Sequence, residues 1–373
     1  MKKSINFNGD FEYELLDKNQ PVVDLRNQLA SLYSSPYADI LWWELRDPSL
    51  IDHGYYKLFY YEQSVLKHII LFKYSAKAPK RILVINKCFH ILVKDIDQIG
   101  RILFYEFEKL QQIIFERLYV PNPEQLPKII VEMDWNDMII SLPDSMDTYM
   151  KSLGKKTRHH INQMKNHIVR DFPDIKVHYF EKSDILLDQI EKIISLNKDR
   201  MKATGHTSYL TDTDCKLLHQ YASTSGFGFL CLCEIDNKII GGTINSIIGE
   251  SAYAHVNAHD NCYNKYSAGQ INFIDTIKYL IEEKNIKYLH LFNGRQAYKS
   301  HLGAISYDRY TLRIFRNKDY YYFLVKIKDG LKNNYSKLKQ KFEDHDYYKR
   351  FKNNKMIHGF YIKLQKIKIK ILN

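Results

Sequence analysis

The fold turns on one stretch, Phe227-Gly228-Phe229-Leu230-Cys231-Leu232-Cys233-Glu234-Ile235, then Asp236-Asn237-Lys238, then Ile239-Ile240-Gly241-Gly242-Thr243-Ile244-Asn245-Ser246-Ile247-Ile248, then Gly249-Glu250, then Ser251-Ala252-Tyr253-Ala254-His255-Val256-Asn257-Ala258-His259. Three apolar runs of strand length are separated by two short turn signals. That pattern predicts an antiparallel meander with hairpin connections. A polar loop over 264–269 follows, then a helix over 270–284 and a strand over 286–292. The segment Tyr266-Ser267-Ala268-Gly269-Gln270 therefore sits where a strand passes into a helix amino terminus. Small residues there let backbone N–H groups come close to a ligand. The helix terminus adds a positive partial charge of about half a unit. Together they suit a pyrophosphate.

Outward from this core, periodicity predicts strands over 55–61, 65–74, 81–86, 128–134, 137–142, 175–180 and 307–315. Apolar residues at helical spacing predict a long amphipathic helix over 96–118. Helices are also predicted over 146–169, 185–200 and 212–223, the first rich in Lys and His. An aromatic cluster, Leu41-Trp42-Trp43-Glu44-Leu45, stands apart near the amino terminus. Strands and a long helix occur in both halves, which is compatible with a duplicated architecture.

At 373 residues the chain suits two domains and a tail. Its 45% hydrophobic and 26% charged content excludes a mostly disordered protein. No apolar run is long enough to span a bilayer, and no signal-peptide h-region follows Met1-Lys2-Lys3. Five irregularly spaced cysteines argue for a reducing compartment, so a cytoplasmic location is expected. The net charge is +12. From Lys326 to Asn373 there are fourteen Lys/Arg against four Asp/Glu, so most of the excess lies in this tail. Its isoleucines and lysines alternate over 362–372, and contact with an anionic inner-membrane surface is one expectation for it.

Three segments in order carry a family resemblance. They are Ile139-Ile140-Ser141-Leu142-Pro143-Asp144-Ser145 running into Tyr149-Met150-Lys151-Ser152-Leu153-Gly154-Lys155-Lys156-Thr157-Arg158; the meander with its loop and helix; and Leu289-His290-Leu291-Phe292-Asn293-Gly294-Arg295-Gln296-Ala297-Tyr298-Lys299. Over about 139–316 the chain resembles the GNAT acyltransferase superfamily. It is most similar there to the FemAB-like branch and to the acetyltransferases of cellulose and exopolysaccharide biosynthesis.

The resemblance implies an α/β fold of tandem GNAT-like domains, each a mostly antiparallel central sheet flanked by helices. Residues 1–141 would form an amino-terminal domain with no active site of its own, 142–325 the acyltransferase domain, and 326–373 the basic tail. It further implies direct transfer from acetyl-CoA, or another acyl-CoA, to the amine of an amino sugar, amino acid or envelope precursor, without a metal. The last meander strand should splay from its parallel neighbour at about 256–259. Val256, Asn257, Tyr266, Ser267, Ala268, Gly269 and Gln270 would hold the cofactor. His255 or Asp260 would serve as base and Tyr298 as acid to the thiolate. Arg158, Asn293, Arg295 and Lys299 would hold the acceptor. The family often places Pro where Ala268 stands and an acidic residue where Asn293 stands.

Other patterns are weaker. His255 and His259 lack the Glu of a zinc-protease motif and lie on a strand. Cys231 and Cys233 read as buried thiols, since no second pair completes a metal site. Gly154-Lys155-Lys156-Thr157 lacks both the first Gly and the final Ser/Thr of a phosphate loop. Gly241-Gly242 reads as a bulge or close backbone approach. Two rival functions stand beside the acyl-CoA enzyme: a FemAB-type aminoacyltransferase drawing on aminoacyl-tRNA, and a non-catalytic GNAT-like binding protein.

Overall fold

The computed structural model describes residues 11–75, 77–224, 226–294, 297–318 and 322–327, together with the two-residue strand Lys3–Ser4. Arg295 and most of the basic tail, 328–373, lie outside the described residues.

The first half runs β1 (Lys3–Ser4), β2 (Phe11–Leu16), α1 (Leu25–Tyr33), α2 (Ile40–Arg46), α3 (Ser49–His53), β3 (Tyr56–Glu62), β4 (Val65–Lys73), β5 (Arg81–Val84), α4 (Val93–Glu106), β6 (Gln112–Leu118) and β7 (Ile129–Ser141). The second runs α5 (Met146–Ser152), α6 (Lys155–Asp171), β8 (Lys176–Glu181), α7 (Leu187–Ala203), α8 (Asp212–Thr224), β9 (Gly228–Ile235), β10 (Lys238–Ile248), β11 (Ser251–His259), α9 (Ala268–Glu282), β12 (Tyr288–His290), α10 (Ala297–His301) and β13 (Ile305–Phe315). Among the described residues, all thirteen strands join in one sheet, ordered β1-β2-β3-β4-β5-β6-β13-β7-β12-β11-β10-β9-β8.

The expected meander is β9-β10-β11. Its first turn places Asp236 and Asn237 at φ 50° and 58°, the left-handed pair that a two-residue hairpin matched to strand twist requires. A Cβ added to Gly242 would lie 2.4 Å from the Cys231 carbonyl, so the close-approach reading of that glycine describes its surroundings. The two halves repeat one plan. In each, antiparallel strands lead through a helix (α4 or α9) to a strand parallel to the last of them: β6 beside β5, β12 beside β11. Parallel neighbours need such a crossover because a hairpin cannot reverse the chain twice.

The halves also exchange strands. Long β7, from the end of the first half, pairs with β12, and β13, from the end of the second, pairs with β6 and β7. Where they meet, a polar cluster is sealed inside. Arg309, fully buried, bonds Asp137, Tyr119 and Cys88, while His290 Nδ1 lies 2.6 Å from Asp137 Oδ2 and the Tyr119 hydroxyl donates to the same oxygen at 2.7 Å. Burial alone would raise the Asp137 carboxyl. The His290 bond and the charges of His290 and Arg309 outweigh it and bring the group down to about 2.

Several boundaries differ from the periodicity. The predicted helix over 96–118 is α4 followed by strand β6. Ile99, Ile102 and Leu103 do face the core as a helical stripe. Past Phe107, however, Ile113 and Phe115 are buried at spacing two, and the β-branched pair Ile113-Ile114 favours a strand. The basic helix over 146–169 breaks at Gly154, whose extended backbone caps α6 while Leu153 drops into the core. The two strands expected over 128–142 are the single β7.

Candidate active site

Strands β11 and β12 pair only over Ser251–Tyr253 and Tyr288–His290. After that, the chain beyond β12 stays with β7, Leu291 donating to Met138 O at 2.8 Å, while β11 continues on β10 as far as His259. A wedge opens in the sheet from Ala254 onward, two residues earlier than the 256–259 expected. The corresponding place in the first half is closed by Cys88 N–Arg117 O, Tyr119 N–Phe89 O and Ile91 N–Tyr119 O hydrogen bonds.

A bulge shapes the wedge. Val256 pairs with Ile244 and Ala254 with Asn245, leaving His255 unpaired. One extra residue reverses which face the later side chains take. Ala252 and Ala254 pack with Phe273 and Ile274 of α9. Val256 and Ala258 pack with Ile190 and Ile193 of α7, on the other side of the sheet. Asn257 and His259 consequently turn toward α9, and His255 turns away from it.

On the α9 side lies a cradle. Ser267 takes φ 54°, turning the chain sharply into the helix, and its hydroxyl stands 3.3 Å from His160 Nε2 of α6 rather than capping α9. The first helical N–H groups, at Ala268 and Gly269, have no intrahelical partner. Asn257 Nδ2 donates to the Gly269 carbonyl at 2.8 Å. A Cβ on Gly269 would lie 2.8 Å from His259 Nδ1, so only glycine leaves this space open. A phosphate group fits such a cradle: bare amides, a helix terminus and no acidic side chain in the first turn. Val256 is buried against α7, and Tyr266 is buried with its hydroxyl bonded to Asp171 at 2.8 Å. Their side chains are therefore committed to packing, which leaves only their backbone to face a cofactor. Gln270 and Ala268 remain on the helix's first turn.

On the opposite side is a cavity of about 640 Å³ between the two halves. Its walls include His255 on one flank of the wedge and Phe292 and Asn293 on the other, so the wedge opens into it. Tyr37, Trp42 and Trp43 reach it from the first half.

The proposed base needs correcting. His255 stacks on Trp42 at 5.1 Å, bonds Ser246 Oγ at 2.8 Å, and is pushed down to about 3 by burial. An imidazole so depressed is neutral throughout the physiological range and is a weak proton acceptor. Its folded-state pKa lies below the unfolded value of about 6.5. The unfolded chain therefore binds this proton first, and stability is lost as pH falls below 6.5. His255→Gln should remove about 1–2 kcal/mol of the stability difference between pH 7.5 and pH 5, read from urea midpoints at each pH. An unchanged pH slope would contradict this account.

Asp260 caps the short helical turn after β11, accepting from Cys262 N at 2.9 Å. Tyr298 packs on Phe273 of α9 with ring centroids 6.1 Å apart, and burial raises its phenol, keeping it protonated. Lys299 is not free for an acceptor. Its ammonium is buried and donates to the carbonyls of Leu291, Phe292 and Asn293 at 2.7, 3.1 and 2.8 Å. It ties α10, which carries Tyr298, to the segment that follows β12. Arg158 spends one guanidinium nitrogen on Lys151 O at 2.9 Å and does not line the cavity, whereas Asn293 does. Arg200, at the end of α7, went unread in the sequence. Burial lowers the His259 imidazole and the Arg200 charge adds to that, while the same charge offsets part of the burial that raises the Tyr298 phenol; among the described residues its Nε is buried without a partner. No local motif marks it; only the packing of α7 against β11 brings it here. Among the described residues no group of His, Cys, Asp or Glu is arranged to hold a metal ion, and no helix is long and apolar enough to cross a membrane.

The family profile described as "Acetyltransferase (GNAT) domain" matches residues 155–300, from the start of α6 into α10. Wedge, cradle and Tyr298 all fall inside it. Residues 155–300 are a GNAT-type acetyltransferase domain. The protein is accordingly an acyltransferase, and the mixed α/β architecture around the GNAT domain agrees. The crystal structure of FemX superposes with a TM-score of 0.57 at 11% identity, covering 82% of this chain and 98% of that one. The C-terminal domain of a putative lysylphosphatidylglycerol synthetase from Agrobacterium fabrum aligns at TM-score 0.49 and 10% identity, over 81% of this chain and 93% of its own. The first of these shows a shared fold across most of the chain. No curated protein sequence matches this one.

Proposed function

We propose that the protein is an acyl-CoA-dependent N-acyltransferase, with acetyl as the acyl group, acting on an amine held in the cavity between the halves. The observation that carries this reading is the wedge: its α9 face has the phosphate cradle at Ser267–Gly269, and its other face opens into the cavity. Bound there, acyl-CoA would supply the acyl group as an activated thioester.

The chain's own residues then have separable tasks. The helix terminus and the amides of Ala268 and Gly269 hold phosphate. The edge of β11 that faces away from β10, released from β12 from Ala254 onward, offers N–H groups to a carbonyl oxygen lying in the wedge. Tyr298 holds a proton at Oη, and Lys299 keeps its helix, α10, in place. Arg200 adds positive charge beside that phenol. His255 presents a neutral ring to the amine, and solvent in the cavity takes the proton. The first half, residues 1–141, supplies one wall of the acceptor cavity and no chemistry. That reading is supported by its closed strand pair and by Asp95, whose carboxylate in the first turn of α4 would repel a phosphate.

Thiol release from acetyl-CoA, measured across a panel of amino sugars and amino acids, tests the reading. Tyr298→Phe should lower kcat about 100-fold with acetyl-CoA affinity unchanged. Full activity in that variant would remove Tyr298 from the chemistry. No thiol release with any amine would remove the reaction class.

A further inference from the structure

The chain has three tryptophans, and all three line the cavity between the halves: Trp42, Trp43 and Trp135. Trp42 also belongs to the core cluster beneath α7 and α8, and Trp43 packs against it, so packing explains their apolar faces but not their polar edges. Their polar edges differ. Trp43 Nε1 donates to the Tyr37 carbonyl at 2.8 Å. Trp42 Nε1 and Trp135 Nε1 are buried with no hydrogen-bond partner among the described residues. Trp42 is 3% exposed, so its indole N–H is withheld from bulk water. A buried donor without an acceptor is a deficit that a ligand oxygen would relieve.

Charge is placed beside these rings. Lys87 lies over Trp43 with its ammonium 4.6 Å from the ring centroid, and the Arg117 guanidinium lies over Trp135 at 4.0 Å. Arg46 also lines the cavity, where the one lining carboxylate among the described residues is its partner Asp214, at 3.4 Å. The carboxylates paired with Lys87 and Arg117, Glu116 and Asp134, do not line it. The wall is thus aromatic, rich in N–H donors and positive.

We propose that this cavity is an acceptor site built by both halves, and that it takes a sugar ring carrying an anionic group, phosphate or carboxylate. The flat apolar face of a pyranose packs on an indole. Its hydroxyls accept from Trp42 and Trp135. Lys87 and Arg117 hold the anion by charge-assisted hydrogen bonds. Its identity as an acceptor, with an amino group directed to the wedge between His255 and Asn293, rests on the acyltransferase reading above.

Because every tryptophan lines this one cavity, intrinsic fluorescence of the full chain reports its occupancy without turnover. Glucosamine 6-phosphate should change the emission saturably, and glucosamine should bind at least tenfold more weakly. Inorganic phosphate should produce no comparable change. Lys87→Gln combined with Arg117→Gln should abolish the preference for the phosphorylated sugar over glucosamine, while acetyl-CoA still binds. No response to either sugar, in protein that still binds acetyl-CoA, would overturn the proposal and leave the cofactor reading standing. Equal affinity for both sugars would overturn its anionic part. Loss of acetyl-CoA binding in unaltered protein would count against the acyltransferase reading instead.

Discussion

Asp137→Ala should destabilise the protein by about 3–5 kcal/mol, the cost of removing one partner from a buried ion pair. Arg309 is fully buried, and its guanidinium has Asp137 as its buried counter-charge. Alanine would leave that cation uncompensated and would strip an acceptor from His290 and Tyr119 as well. The loss is global because β7, β12 and β13 meet at this point, and they join the halves. A urea midpoint shift with unchanged slope would measure it. Adding Arg309→Met to Asp137→Leu should recover much of the loss, since an apolar pair needs no compensation. A cost below about 1 kcal/mol for Asp137→Ala would show that the cluster does not hold the seam. The carboxyl's folded-state pKa of about 2 lies below its unfolded value of about 3.9. Its contribution is therefore complete above pH 4 and disappears as pH falls through 2.

Gly269→Glu should eliminate measurable acetyl-CoA binding, at least a 100-fold loss of affinity, with little change in thermal midpoint. The new Cβ would start 2.8 Å from His259 Nδ1, and the carboxylate would stand where the cradle offers amides to an anion. The position is helical and its φ is negative, so the backbone accepts a side chain without strain. His259 is held by Asn264 at 2.7 Å and can turn aside at small cost to the fold. Gly269→Ala should bind more weakly than glycine and better than glutamate, separating space from charge. Unimpaired binding by the glutamate variant would place the cofactor elsewhere.

The part of this architecture legible in sequence is the part governed by local chemistry. Alternating apolar runs and the Asp236-Asn237 turn are enough to specify β9-β10-β11, because a hairpin's register follows from its turn. The small residues at Ser267–Gly269 mark the cradle for the same reason. What could not be read depends on distant contacts. That β7 leaves its own half for β12 is a pairing across more than a hundred residues. The bulge at His255 breaks the alternation, so a residue expected beside the cofactor faces the other side of the sheet. Lys299 reads in sequence as a residue that holds the acceptor, yet three backbone carbonyls claim it. Trp42 and Trp43 stood out as an aromatic cluster, but only the packing of α2 across the seam places them at the mouth of the wedge.

The central claim is that the wedge seats acyl-CoA. Isothermal titration of the full chain with acetyl-CoA, beside a thermal-shift series with total tRNA, tests it most directly. The account predicts saturable binding of acetyl-CoA in the micromolar range and no stabilisation by tRNA. Stabilisation by tRNA with no acetyl-CoA binding would contradict it and transfer the site to an aminoacyl donor. No response to either ligand would leave a GNAT fold that binds without catalysing.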